Sequence, residues 1–267
     1  MATEQLSQSQ MPDKRNDLLL ETRGLVKRFG GVAAIDELDL QVRNGEILGL
    51  IGPNGSGKTT FFNVVTGFLK ANGGDVLFRG ERITNFSPHR IARRGIIRTF
   101  QLNLLLRSLT VLENVRFAYH LQRRGTVFGA FFHSPVVRRE ERDITAQAEQ
   151  VLEATGMSDR RDQLAGQLSY GWQKTLTLAI GIASKPDLLL LDEPLTGISP
   201  TRVEAIAGLV TSLRERGTTV CLIEHNVNLL MNLCDRIVAL NFGQKMADGL
   251  PEQVTQDKVV IESYLGG

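Results

Sequence analysis

The 267-residue chain is 42% hydrophobic and nearly charge-balanced, with 31 lysines and arginines against 29 acidic residues and a formal charge of +2. That balance gives no electrostatic basis for binding nucleic acid or a membrane surface. No run approaches the roughly 18 to 20 apolar residues that span a bilayer, and residues 1–16 are polar without the apolar segment of an export signal, so a cytoplasmic protein is expected. The length suits one α/β domain carrying a subdomain. Cys221 and Cys234 lie in apolar runs, the pattern of buried thiols rather than of a disulfide or a metal site.

In chain order, residues 1–17 are expected to form a disordered tail, and 18–20, 25–29 and 32–40 short strands of an antiparallel layer closed by the Asn44-Gly45 turn. The apolar run 47–51 is a strand leading into Gly52-Pro53-Asn54-Gly55-Ser56-Gly57-Lys58-Thr59-Thr60, and 59–66 is a helix ended by Gly67. A glycine-rich turn between strand and helix, with Gly57-Lys58-Thr59 at this distance from Gly52, fits the phosphate-binding P-loop, whose consecutive amides wrap an anion at a helix N-terminus. Glycines at 52, 55 and 57 keep Cβ atoms out of the anion's path. Lys58 can reach β and γ phosphates and the Thr59 hydroxyl can ligate magnesium. ATP with Mg²⁺ is the expected ligand pair.

Further along, 75–78 is a strand and 88–94 a short helix ended by Gly95. The middle of the chain turns helical: Thr110 and Glu113 form a capping box ahead of 115–121, and 144–154 is amphipathic and ended by Gly156. Residues 188–191, four leucines, form a buried strand. Ser199-Pro200 opens a helix running to about 216, and 218–223 and 237–240 are strands. Strands separated by helices, with a helical stretch at about 102–168, predict a parallel sheet with an inserted helical subdomain. Asp192 and Glu193 follow the leucine strand, at the end where open α/β sheets hold ligands. On their own they read equally as two solvated acids; beside a P-loop, Asp192 becomes a magnesium ligand, directly or through water, and Glu193 the group that polarises the attacking water.

Three further segments complete an ordered set: Arg98-Thr99-Phe100-Gln101, Leu168-Ser169-Tyr170-Gly171-Trp172-Gln173 and Ile223-Glu224-His225. From residue 18 to 267 the chain resembles an ATP-binding subunit of an ABC transporter. Taken singly, Gln101 would be a solvent-facing strand end and His225 a cap before the helix at Asn226. The resemblance implies that Phe29 stacks on adenine, although Phe29 reads alternatively as a core aromatic. It also implies that Gly52 to Thr60 hold the phosphates, that Thr59, Gln101 and Asp192 serve the metal, and that His225 grips the γ phosphate and aligns Glu193 with water. Ser169 and Gly171 would face the nucleotide of a partner subunit, since such domains pair head to tail.

Tyr170 and Trp172 replace the glycine and glutamine of the common signature, and Ser199 replaces the usual aspartate after Glu193-Pro194. Segments 23–40, 98–101, 126–142 and 262–267 are similar to those of ATP-binding subunits of branched-chain amino-acid importers. That likeness implies a peripheral protein at the cytoplasmic face of the membrane, working with a second ATPase and two permeases, and indirectly with a solute-binding protein. Export of lipopolysaccharide and a soluble, non-transport ABC ATPase are the alternatives. Phe117, Tyr119, Phe128, Phe131 and Phe132, interspersed with Arg123, Arg124, Arg138, Arg139 and Arg142, read either as a permease or lipid contact or as packed aromatics among solvated arginines.

Overall fold

The computed structural model describes residues 17–99, 105–122 and 135–265. Two sheets share the core. Strands β1 (Leu18–Phe29), β2 (Val32–Arg43), β4 (Gly73–Phe78) and β5 (Glu81–Arg82) form an antiparallel sheet in the order β2-β1-β4-β5. Strands β3 (Ile47–Ile51), β6 (Ile96–Thr99), β7 (Leu188–Asp192), β8 (Thr219–Ile223), β9 (Arg236–Asn241) and β10 (Gln244–Gly249) form the second, in the order β10-β9-β3-β8-β7-β6, parallel except for β10. The helices are α1 (Lys58–Val65), α2 (Pro88–Ala92), α3 (Val111–Gln122), α4 (Pro135–Ala154), α5 (Tyr170–Ala183), α6 (Pro200–Glu215), α7 (Val227–Leu233), α8 (Pro251–Thr255) and α9 (Lys258–Leu265).

The leucine run explains the layering. Successive strand side chains point to opposite faces, so Leu188 and Leu190 join the core beneath the antiparallel sheet with Leu40, Phe61 and Phe62, whereas Leu189 and Leu191 join Ile206, Val210 and Leu222 on the other face. Both faces are covered, which is why this strand is apolar without alternation. A third core belongs to the helices: Val111, Val115 and Tyr119 of α3 meet Ile144, Ala148 and Leu152 of α4 and Leu176, Ala179 and Ala183 of α5, so the helical layer continues past residue 168 through α5.

Several elements depart from the sequence reading for identifiable reasons. β1 is one strand of 12 residues rather than two pieces; a register shift between Thr22 and Leu25 absorbs Gly24, whose φ is +52° and whose amide donates to Asp39 Oδ1 at 2.6 Å, and a bulge of this kind bends a strand without ending it. The capping box forms, with Thr110 N–H donating to Glu113 Oε2 at 2.7 Å and Glu113 N–H to Thr110 Oγ1 at 3.2 Å, yet α3 begins at Val111. α4 begins at Pro135, before the apolar periodicity that marks 144–154, because its first half is charged. Strands β6 and β10 and helices α8 and α9 are short and carry no strong periodicity. The expected tail and the aromatic-basic insert fall largely outside the described residues; Asp17 belongs to the fold, its carbonyl accepting from Asn44 N–H at 2.7 Å. Tyr119 packs in the helical core, whereas Phe117 is exposed. No helix among the described residues is long and apolar enough to cross a membrane.

The two sheets are tied by Arg236 on β9. Its buried guanidinium donates to Glu46 Oε1 at 2.7 Å and Oε2 at 3.1 Å, to Asp248 Oδ1 on β10 and to the Gln41 carbonyl on β2, both at 2.5 Å. Truncating Arg236 leaves Glu46 charged and buried without compensation, a loss of about 3 to 5 kcal/mol. Arg236→Ala is therefore expected to lower the urea midpoint by that equivalent, and Glu46→Gln in the same chain to restore part of it; an unchanged midpoint would mean the network contributes nothing.

Candidate functional site

The site starts from strand register. Leu50 of β3 and Asp192 of β7 both align with Ile223 of β8, so three parallel strands end level and discharge the P-loop, Glu193 and His225 at one edge. The loop needs its glycines: a Cβ at Gly52 would sit 2.1 Å from the Leu240 carbonyl oxygen, and one at Gly57, φ +104°, would sit 2.5 Å from that of Ala34. Gly57 is the N-cap of α1, leaving that helix's first amides to the loop's concavity. Asn54, Gly55 and Thr59 are exposed, Pro53 and Thr60 half-buried, and Ser56 buried.

Lys58 is buried and donates from Nζ to the carbonyls of Gly52 at 2.7 Å and Pro53 at 2.9 Å and to Ser56 Oγ at 3.2 Å. Burial draws its pKa below the ordinary lysine value, against the opposing pull of Glu193 and Asp192. A desolvated ammonium facing two carboxylates at the end of a glycine cradle is arranged for a polyanion.

Asp192 is not a solvated acid. Its side chain is 7% exposed and paired with Arg98, whose Nη2 lies 2.5 Å from Asp192 Oδ2 and whose Nη1 donates to Asn63 Oδ1 of α1 at 2.6 Å. Glu193 is 31% exposed at the side chain and its Oε1 stands 3.0 Å from His225 Nε2. Its φ of +48° is left-handed, a conformation that costs a non-glycine residue about 1 kcal/mol or more and persists only where surroundings impose it. Here Glu193 N–H donates to the Ile223 carbonyl at 3.0 Å, while Lys174 Nζ of α5 donates to the carbonyls of Glu193 at 2.7 Å and Thr196 at 2.6 Å. Glu224 is buried beneath, accepting from the amides of Leu195 at 2.7 Å and His225 at 3.3 Å; burial raises its pKa, partly offset by those amides.

Phe29 is 49% exposed with Lys27 Nζ 5.0 Å from its ring centroid, which excludes the core-aromatic alternative. Gln101 lies outside the described residues. Ser169 is the exposed N-cap of α5 and makes no side-chain cap bond. A Cβ on Gly171 would lie 3.4 Å from Ile198 and 3.5 Å from Arg202, so this segment packs on the loop that follows Glu193 rather than on the P-loop. The two signature departures have places of their own. Trp172 is sandwiched between Arg160, 4.0 Å from the ring centroid, and Arg202 at 3.5 Å, and the Tyr170 ring lies over Lys174. Ser199 caps α6 through its backbone, accepting from Arg202 and Val203 N–H, both at 3.0 Å. Sequence reasoning missed Arg98, Lys174 and Glu224 as supports although each lies in or beside a quoted motif. It also missed Tyr264, whose hydroxyl accepts from Gly52 N–H at 2.7 Å and whose 212-residue separation left no local signal.

A sequence model of the ABC transporter family matches residues 35–196. The chain is 39% identical over 249 residues to the high-affinity branched-chain amino acid transport ATP-binding protein BraF of Pseudomonas aeruginosa and, equally, to LivG of Escherichia coli K12, with 93% of this chain and 98% of each relative covered. Among solved structures, a nucleotide-free ATP-binding cassette from an ABC transporter superposes with a TM-score of 0.81 at 33% identity, covering 94% of this chain and all of that one. An ADP conformation of such a cassette also gives 0.81 at 33% identity, covering 94% of this chain and 99% of the other. These likenesses, found on a chain whose glycine-rich loop and Glu193–His225 pair lie at one sheet edge, establish that it belongs to the ABC transporter family as an ATP-binding, ATP-hydrolysing subunit.

Proposed function

We propose that this ATPase powers import of branched-chain amino acids or related small solutes. It works at the cytoplasmic face of the membrane with a second ATPase, two permeases and, indirectly, a solute-binding protein. The solute class rests on the likeness to BraF and LivG across nearly their whole length. An apolar groove of about 310 Å³ lined by Phe68, Ile91, Phe117, Ala118 and Ile180 lies between α2, α3 and α5 and is the proposed seat for a permease segment.

The observation that carries the hydrolytic reading is the 3.0 Å contact of Glu193 with His225 at the mouth of the phosphate loop. In this reading the P-loop amides and Lys58 bind the β and γ phosphates, and Phe29 receives the adenine. Glu193 accepts a proton from the attacking water as the water oxygen bonds to the γ phosphorus and the bond to the β-γ bridging oxygen breaks, releasing ADP and phosphate. His225 orients Glu193 and the γ phosphate. Thr59 and Asp192, with Gln101, are the residues that would hold Mg²⁺, whose charge would offset that of the phosphate oxygens. Arg98 occupies Asp192 Oδ2, which favours an Asp192 contact through water.

Glu193→Gln should lower turnover by at least about 10²-fold, the lower range for a general base, while ATP affinity stays within about twofold and ATP accumulates in a closed dimer; hydrolysis at the wild-type rate would remove Glu193 from the mechanism. For Lys58→Ala, loss of a charge-assisted contact should weaken ATP binding about 10- to 100-fold by calorimetry. In the complex with permeases and sister ATPase, Ser169→Arg should leave ATP binding to this subunit's own loop nearly intact and abolish phosphate release at the shared site. Parallel loss of both, or of neither, would reject the shared site.

A further inference from the structure

The amide of Gly52 lies where the sheet can no longer satisfy it. β3 pairs with β9 as far as Ile51 opposite Ala239 and with β8 as far as Leu50 opposite Ile223, so Gly52 is the first residue beyond both ladders. It is buried, and with φ +146° and the Leu240 oxygen 2.1 Å from where a Cβ would stand, only glycine fits at this turn. A buried N–H without a partner costs about as much as a lost hydrogen bond. The partner comes from the far end of the chain: Tyr264 on α9 accepts that proton at 2.7 Å. On its other side, the Gly52 carbonyl receives Lys58 Nζ, also at 2.7 Å. The residue where the strand becomes the phosphate loop is thus pinned twice, once by the lysine that meets phosphate and once by the C-terminal helix.

The helix that delivers this hydroxyl is itself held in place. Asp257 caps α9, accepting from Val259 N–H at 2.8 Å, and Val260 is buried in the core on the α6 face of the sheet, whereas Val259 and Ile261 are exposed. Tyr264 is 39% exposed and is not a member of any of the three cores; its hydroxyl reaches the loop.

We infer that Tyr264 is a positioning residue for the nucleotide: by fixing the Gly52 amide, the C-terminal helix sets the entry of the phosphate loop and with it the affinity for the triphosphate. The role rests on the reading of residues 52–60 as the phosphate site. It acts through the loop and not by contact with the reacting atoms. Removing the hydroxyl while keeping the ring releases the first peptide of the loop, and the disorder introduced there must be reversed each time ATP binds.

The test uses the full chain for equilibrium ATP binding and the assembled transporter for kinetics, comparing Tyr264→Phe, Tyr264→Ala and Lys58→Ala with wild type. Tyr264→Phe is expected to raise the Kd and KM for ATP about fivefold, the loss of one neutral hydrogen bond, with a much smaller change in kcat. Amide exchange in the 47–58 segment should quicken in the nucleotide-free protein. Binding is measured well below the unfolding transition, so a lower Tm cannot mimic the effect. Should Tyr264→Ala unfold the chain, the Phe variant still decides. Unchanged Kd and KM in Tyr264→Phe, with Lys58→Ala impaired, would overturn the positioning role alone and leave the tyrosine as a helix anchor. Unchanged affinity in Lys58→Ala would overturn the phosphate-loop reading and the inference with it.

Discussion

Everything chemical in this protein depends on parallel strands ending level. Because Asp192 of β7 and Leu50 of β3 share Ile223 as their neighbour on β8, the residues that leave those strands, Glu193, Gly52 and Glu224-His225, emerge side by side. A slip of one residue in any pairing would turn each strand's side chains to the opposite face, expelling leucines from two cores and carrying Glu193 away from His225. The stability of the sheet and the geometry of the site are therefore the same constraint. Apolar burial on both faces enforces the register more firmly than any contact within the site could.

On that frame the proposed site is held by backbone fixtures rather than by the side chains proposed to react. Glu193 is kept left-handed by a β8 carbonyl on one side and by Lys174 on the other. Lys174 belongs to α5, the helix that opens at Ser169 and contributes to the helical core. Any movement of that layer against the sheet is thus felt at the Glu193 carbonyl. Trp172 adds a second tie, stacked between Arg160 of the helical layer and Arg202 of α6. Two positions that depart from the usual signature hence serve contacts within this chain, leaving Ser169 exposed.

Most buried charge is matched within the chain before it is enclosed. Arg98 meets Asp192 and Asn63, Arg236 meets Glu46 and Asp248, and Glu224 is met by amides. Lys58 is the instructive case, because its partners are neutral carbonyls and a hydroxyl and burial lowers its pKa. A phosphate chain would offer it the counter-charge that the loop itself does not.

What the sequence determined by itself was local. Glycine spacing, the leucine strand followed by two acids, and the Thr110–Glu113 box each act over fewer than ten residues, where steric and hydrogen-bonding rules leave few alternatives. They made the mixed α/β fold, the glycine-rich turn between β3 and α1 and the acidic strand end legible, and the order of motifs made the family so. The tertiary structure alone decided the rest. Whether Asp192 was solvated or paired depended on Arg98, 94 positions away; whether Phe29 was core or surface depended on its place at the end of β1, beyond the stretch that pairs with β4; and the support of Gly52 came from Tyr264 across 212 residues. Short elements such as β6, β10 and α9 escaped for the same reason: segments this brief carry too little periodicity to declare themselves and are fixed by the neighbours they pack against.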